Sequence, residues 1–307
     1  MLRPSGEENL CKSINVKQQQ HRVPEVYLKE FGYLDGDQWM ITTAEKHKAE
    51  LMRGVGKRWV GAKSIGSVTT INNEFDLGNV LPQDTKRLEE FFWNFENRYL
   101  KVVEELNNQR LSDDTLGDLT DFIASVLIRS RRFRDMLAYY LEQPNARAFL
   151  NTMCMWMDPK EREERVSNIE AFNLPERLNH TCYAVWHHLA KRLGSFHAVV
   201  LKDLDNSGWM TSDNPVVLRR FQARGGSLLG RDTELYFPIT KDWCLFLHDP
   251  KCLFPMNPMR LLEDRSFVQA HEWVRYVIGE YIWENADELV FFSSRFKFSE
   301  PIESDSA

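Results

Sequence analysis

The chain has 307 residues, 43% of them hydrophobic and 12% aromatic, and a formal charge of −6. Length and apolar content allow one or two domains around a large core and exclude a disordered chain. The acidic balance argues against a protein that coats nucleic acid through bulk charge, and no run approaches the ~18 apolar residues of a membrane span.

Residues 1–19 are polar and lack the apolar stretch of a secretion signal, so a disordered leader is expected there. The five cysteines are scattered, with no C-x-x-C pair. An odd count without a signal sequence predicts reduced thiols and a cytoplasmic protein. The first ordered stretch is "QHRVPEVYLKEFG" (20–32), where Pro24 fixes the backbone after His21 and Tyr27, Leu28 and Phe31 anchor the next turn.

Between Trp39 and Phe75, glycines interleave with Thr, Val and Ile, which predicts short strands. The period then changes. Leu88, Phe91, Phe92, Phe95, Tyr99, Val102, Val103 and Leu106 form one stripe of an amphipathic helix. A second helix is predicted over 119–143, with Leu119, Phe122, Ile123, Val126, Leu127, Phe133, Leu137, Tyr140 and Leu141 on one face. Ser130 interrupts that stripe among Arg129, Arg131, Arg132 and Arg134. Such a break marks either a close helix contact or a stripe opening onto a pocket.

Further helices are predicted near 158–172 and 180–194, the latter with His187 on its core stripe. From about 195 the runs "SFHAVVLKD", "GWMTSDNPVVL", "ELYFPIT", "WCLFLHD" and "ELVFFSS" read as strands of one sheet, with a helix from about 259 to 282 and a hairpin loop at "ARGGSLLG" (223–230). The expected class is α+β: a single domain over 20–296, helix-rich in the middle (about 84–194), with a mainly antiparallel sheet built from N- and C-terminal strands. Residues 297–307 read as a disordered tail.

Candidate site residues come from four separate segments. His21 is a general base or metal ligand, or a buried histidine bonded to the main chain. Asp213 and Asn214 precede Pro215 in "TSDNPVV"; the carboxylate is a catalytic acid or ligand at a strand end, or the pair forms an Asx turn. Glu89 and Glu96 lie on one edge of the first long helix, as inward-reaching acids or solvated ones. The arginines around Ser130 either clamp a phosphate or carboxylate, or form a solvated face. Nucleotide-binding, nucleophile-elbow and zinc-protease signatures are absent.

The order H-x-x-P-x-x-Y-L-x-x-F, the Glu-bearing helix, "IRSRRFRD", "TSDNPVV" and "ELYFPITKDWCLFL" resembles a widespread microbial family of unknown function over about residues 20–280. The resemblance implies that His21 and Asp213 are signature positions, with Arg129 and Glu96 as further matches. The chain departs from the family pattern at Gln20, where many members carry a second His, and at Arg131, where many carry Pro. If the doubled His is a metal pair, Gln20 weakens that metal site.

Two functions follow. One is a hydrolase acting on a phosphodiester or nucleotide, suited to a microbial defence or toxin effector. There His21, Asp213 and Glu96 form the catalytic set and hold a divalent metal, while Arg129, Ser130, Asn214 and Tyr27 contact substrate. Its partners would be a nucleotide or nucleic-acid substrate and a second copy of the chain in a homo-oligomer, with no membrane. The other is a non-catalytic interaction or regulatory protein in which the same strings are turn locks.

Overall fold

The computed structural model describes residues 19–51, 60–68, 70–72, 82–155, 157–220, 229–252 and 257–293. The expected leader (1–19), except for Gln19, which begins a strand, lies outside them, as do the tail (297–307) and most of the 223–230 loop.

The N-terminal part runs β1 (Gln19–His21), α1 (Glu25–Lys29), β2 (Tyr33–Asp35), β3 (Gln38–Glu45), α2 (Lys46–Leu51), β4 (Val60–Ser64) and β5 (Thr70–Asn72). The tight β2–β3 connection needs Gly36, whose φ of +59° is strained for residues with a side chain. The helical middle is α3 (Pro82–Asn107), α4 (Asp113–Arg129), α5 (Arg131–Leu141), α6 (Ala146–Met153), α7 (Pro159–Glu170) and α8 (Leu174–Leu193). Then come β6 (His197–Asp203), β7 (Met210–Ser212), β8 (Val217–Arg220), β9 (Thr233–Pro238), β10 (Trp243–His248), a 3-10 turn (Pro258–Leu261), β11 (Ser266–Ala270), α9 (Glu272–Asn285) and β12 (Leu289–Phe292).

The class is α+β, as the change of period implies. The strands, however, do not form one sheet. N- and C-terminal strands build a first antiparallel sheet in the order β2-β3-β12-β7, with β4 also on β3. The later strands build a second, mixed sheet in the order β11-β6-β10-β9-β8, in which β11 runs parallel to β6. The predicted 259–282 helix is thus divided into a 3-10 turn, a strand and a helix. Arg265, at φ +61°, turns the chain, and Phe267 and Val268 find a strand partner in β6.

Phe92, Phe95, Tyr99, Val102, Val103 and Leu106 of α3 are buried, as the stripe requires. The 119–143 segment is two helices. Ser130 is extended (ψ 142°), and its hydroxyl serves both ends: it donates to the Leu127 carbonyl (2.8 Å) and accepts from Phe133 N–H (3.4 Å). The break in the stripe is therefore a joint. On α8 the buried face runs through Cys182, Val185, Leu189 and Leu193, so His187, expected in the core, is exposed. Among the described residues no helix is long and apolar enough to cross a membrane, and Cys154, Cys182, Cys244 and Cys252 are free thiols.

Candidate functional site

His21 ends β1, in register with Thr70 of β5. Its Nε2 lies 3.2 Å from Glu25 Oε1 and its Nδ1 3.4 Å from Thr70 Oγ1. Pro24 caps α1 at φ −58°, the value its ring imposes, and its carbonyl accepts from Leu28 N–H. That launches Tyr27, Leu28 and Phe31 into the core, where none has exposed surface. Tyr27 OH donates to the Pro238 carbonyl (2.8 Å) and pairs with Thr211 Oγ1 (2.5 Å), while its ring stacks on Phe237 at 5.2 Å. Thr211 belongs to the first sheet and Pro238 to the second, so this phenol ties the two together. Tyr99 OH donates to the next carbonyl, that of Ile239. Burial pushes the Tyr27 phenol well above its ordinary pKa. The Tyr27 side chain, expected to contact substrate, is enclosed between the two sheets.

Asp213 follows β7 at the turn expected for Ser-Asp-Asn-Pro. Its carboxylate accepts three backbone N–H groups, from Asp287 (2.9 Å), Glu288 (2.8 Å) and Leu289 (3.0 Å). Those residues link α9 to β12. Asn214 reinforces the joint: its Nδ2 donates to the Asn285 carbonyl (3.2 Å), and Asn285 Nδ2 donates back to the Asn214 carbonyl (2.7 Å). Burial raises the Asp213 pKa, and the three N–H groups offset this only in part.

Glu96 and Arg129 do meet. Arg129 Nη1 lies 2.8 Å from Glu96 Oε1, its Nε donates to the Ser125 carbonyl, and its plane covers the Phe92 ring at 4.4 Å. The guanidinium is buried and pins α3 to α4. Glu89 has its side chain outside the described residues.

The candidate set is therefore dispersed over three internal contacts: His21 with Glu25 and Thr70, Asp213 with the 287–289 amides, and Glu96 with Arg129. Among the described residues no three His, Cys, Asp or Glu side chains gather to hold a metal. His21, Asp213 and Glu96, expected to hold a divalent ion, are each engaged with other partners.

The arginine-rich helix and the 286–289 turn that Asp213 holds do line one cleft, of about 670 Å³, together with β3 and β4. Arg132 Nε lies 2.8 Å from Asp287 Oδ1, and its Nη2 donates to the Glu284 and Ala286 carbonyls. Lys46 Nζ donates to the same two carbonyls at 3.1 and 3.0 Å. Two cations thus cap the C-terminal end of α9, where the helix dipole favours them. Arg131 reaches Glu288 (3.3 Å) and Asp135 (3.7 Å), and Lys63 reaches Glu45 (3.6 Å). Lys46, Asn285 and the 287–289 amides are invisible to motif reading, because backbone donors and lone lysines carry no local signature.

A second polar constellation also escapes the sequence. Across the second sheet, Arg219, Glu234, His248 and His197 stand directly opposite one another on β8, β9, β10 and β6, so they share a face. Glu234 is wholly buried; its Oε1 meets Arg260 Nε at 2.6 Å and its Oε2 accepts from Tyr236 OH at 2.9 Å. Asn257 Nδ2 donates to the same phenol oxygen, and Arg219 covers the Tyr281 ring. The one available signal is a charged residue opening the otherwise apolar "ELYFP".

Fold and site together define an α+β protein with two five-stranded sheets, bolted by Tyr27, a separate β1–β5 pair that carries His21, and a polar cleft built on an Asp-locked turn. The chain belongs to the family described as "Protein of unknown function (DUF4238)", which matches residues 19–296. No curated protein and no solved structure gives a significant match to it.

Proposed function

We propose that the chain is a non-catalytic interaction protein of the cytoplasm. In this reading the His-x-x-Pro and Ser-Asp-Asn-Pro strings are turn locks, and the cleft beside them is the surface offered to a partner. The observation that carries the reading is the Asp213 carboxylate, whose two oxygens already accept three backbone N–H groups. An acid so occupied has little capacity left for a metal or a substrate proton.

Charge supports a partner class. Four cations line the cleft (Lys46, Lys63, Arg131, Arg132), and four carboxylates balance them (Glu45, Asp135, Asp287, Glu288). A balanced surface suits a polypeptide of mixed charge better than a phosphate polymer, which favours an excess of cations. The outer pairs are weakly held: Arg131 is 52% exposed and Glu288 74%, so a partner can exchange for them at small cost.

The test is crosslinking in the native cell with wild type, Arg131→Glu/Lys63→Glu and His21→Ala. The reading expects one discrete crosslinked protein that disappears in the charge-reversed variant at an unchanged melting temperature. Phosphodiester turnover by purified chain that His21→Ala abolishes without unfolding would instead establish the hydrolase.

A further inference from the structure

A second cavity, of about 340 Å³, lies at the end of the second sheet where α8 gives way to β6 and β10 leaves the sheet. Arg192, Arg231 and Lys251 line it, with Ser195 and Asp249. Three cations face one carboxylate, an excess of two positive charges in a chain whose total is −6.

The carboxylate organises the cations. Asp249 is buried; it pairs with Arg192 Nη2 and accepts Lys251 N–H at 2.7 Å. Burial acts to raise its pKa, but the Arg192 and Lys251 hydrogen bonds and the field of Arg192 and Arg231 outweigh that and hold it below the ordinary value. The Arg192 guanidinium is fixed on every side: Nε donates to the Leu229 carbonyl (3.0 Å), Nη1 to Ser195 Oγ (3.0 Å), and the plane lies over the Phe196 ring at 4.6 Å. Such a group loses little entropy on meeting a ligand. Arg231 and Lys251 are exposed, and among the described residues neither makes a salt bridge.

We propose that this cavity is a binding site for a phosphate monoester, with Arg192 as the fixed anchor and Arg231 and Lys251 as the two exposed cations. A dianion matches the surplus of two positive charges, and planar guanidinium groups fit phosphate oxygens through paired N–H donors. The cavity is near the lower end of the ~300–1,000 Å³ range of ligand pockets, which favours a small phosphorylated molecule over a polymer. Part of Arg192's role is its place in the last turn of α8, where the helix dipole favours a cation. That role does not account for Arg231 and Lys251, which come from other segments. The site is separate from the cleft between α5 and β3–β4, and its fate is independent of that reading.

The experiment is calorimetric titration of the full chain with inorganic phosphate and with a nucleoside 5′-monophosphate, at fixed ionic strength against a chloride control. Wild type is compared with Arg231→Ala/Lys251→Ala, two exposed positions whose loss should leave the melting temperature unchanged. Saturable binding that weakens at least about tenfold in the double variant supports the site. Equal affinity for both probes assigns free phosphate, and tighter binding of the nucleotide assigns a larger phosphorylated ligand. Absence of saturable binding to either probe, or binding undiminished in the double variant, overturns the proposal.

Discussion

Asp213 is half-buried and Glu234 wholly buried, and the two are held by different means. Asp213 lies at the edge of the first sheet and is held by three main-chain donors of one turn. Glu234 lies inside the second sheet and is held by side chains, the Arg260 guanidinium and the Tyr236 phenol. A carboxylate satisfied by backbone is a lock whose three donors no single substitution removes together. A carboxylate neutralised by a buried cation depends on that cation for its charge balance. The first arrangement stabilises a connection; the second is a poised charge pair whose balance one mutation can upset.

The largest expected effect follows from that contrast. Arg260→Ala leaves Glu234 buried without its counter-ion, which costs about 3–5 kcal/mol. Glu234→Leu/Arg260→Met removes both charges and should recover most of the loss. Denaturant unfolding of the three proteins measures it, and an Arg260→Ala loss below about 1 kcal/mol would erase the distinction between the two carboxylates.

Asp213→Asn should cost less, about 1.5–3 kcal/mol, because an amide replaces one acceptor oxygen with a donor facing donors. It should also alter the pH dependence. Burial raises the Asp213 pKa in the folded chain, so its contribution is fully present below the unfolded value of about 3.9 and is lost as pH rises through the folded one. Unfolding measured upward from about pH 4 should show wild type losing stability relative to Asp213→Asn. The opposite slope would mean that the three N–H groups outweigh burial.

Tyr27→Phe keeps the stacked ring and removes the hydroxyl between the sheets, for a loss of about 1–2 kcal/mol by thermal or denaturant unfolding. The smallest effect belongs to the cleft rim. Arg131→Ala, in an exposed pair, should change stability by no more than about 0.5 kcal/mol, and a larger change would make the rim structural.

The helical middle was legible because α3 and α4 owe their burial to a local 3.6-residue stripe. The sheets were legible as strands but not as two layers, because pairing such as β3 with β12 joins distant parts of the chain and leaves no local trace. Ser130 was correctly marked as an interruption, but its dihedral, and hence the joint, depends on how α4 and α5 pack. His21, Asp213, Glu96 and Arg129 were identifiable as unusual polar residues. Their partners were not, since main-chain amides at 287–289 have no side-chain signature and Glu96 meets Arg129 only through the packing of α3 on α4. The Glu234–Arg260 pair was missed for a related reason: one acid at the head of an apolar strand resembles a solvated strand end until the opposite strands are known.

The most direct measurement is elemental analysis of tag-free chain purified without chelator, run beside Asp213→Asn and His21→Ala, with denaturant unfolding of all three. If Asp213 is a lock, neither substitution changes the metal content, and Asp213→Asn shows its effect as lost stability. Near-stoichiometric Zn, Mn or Fe that disappears in both variants while their stability stays at the wild-type value would contradict it.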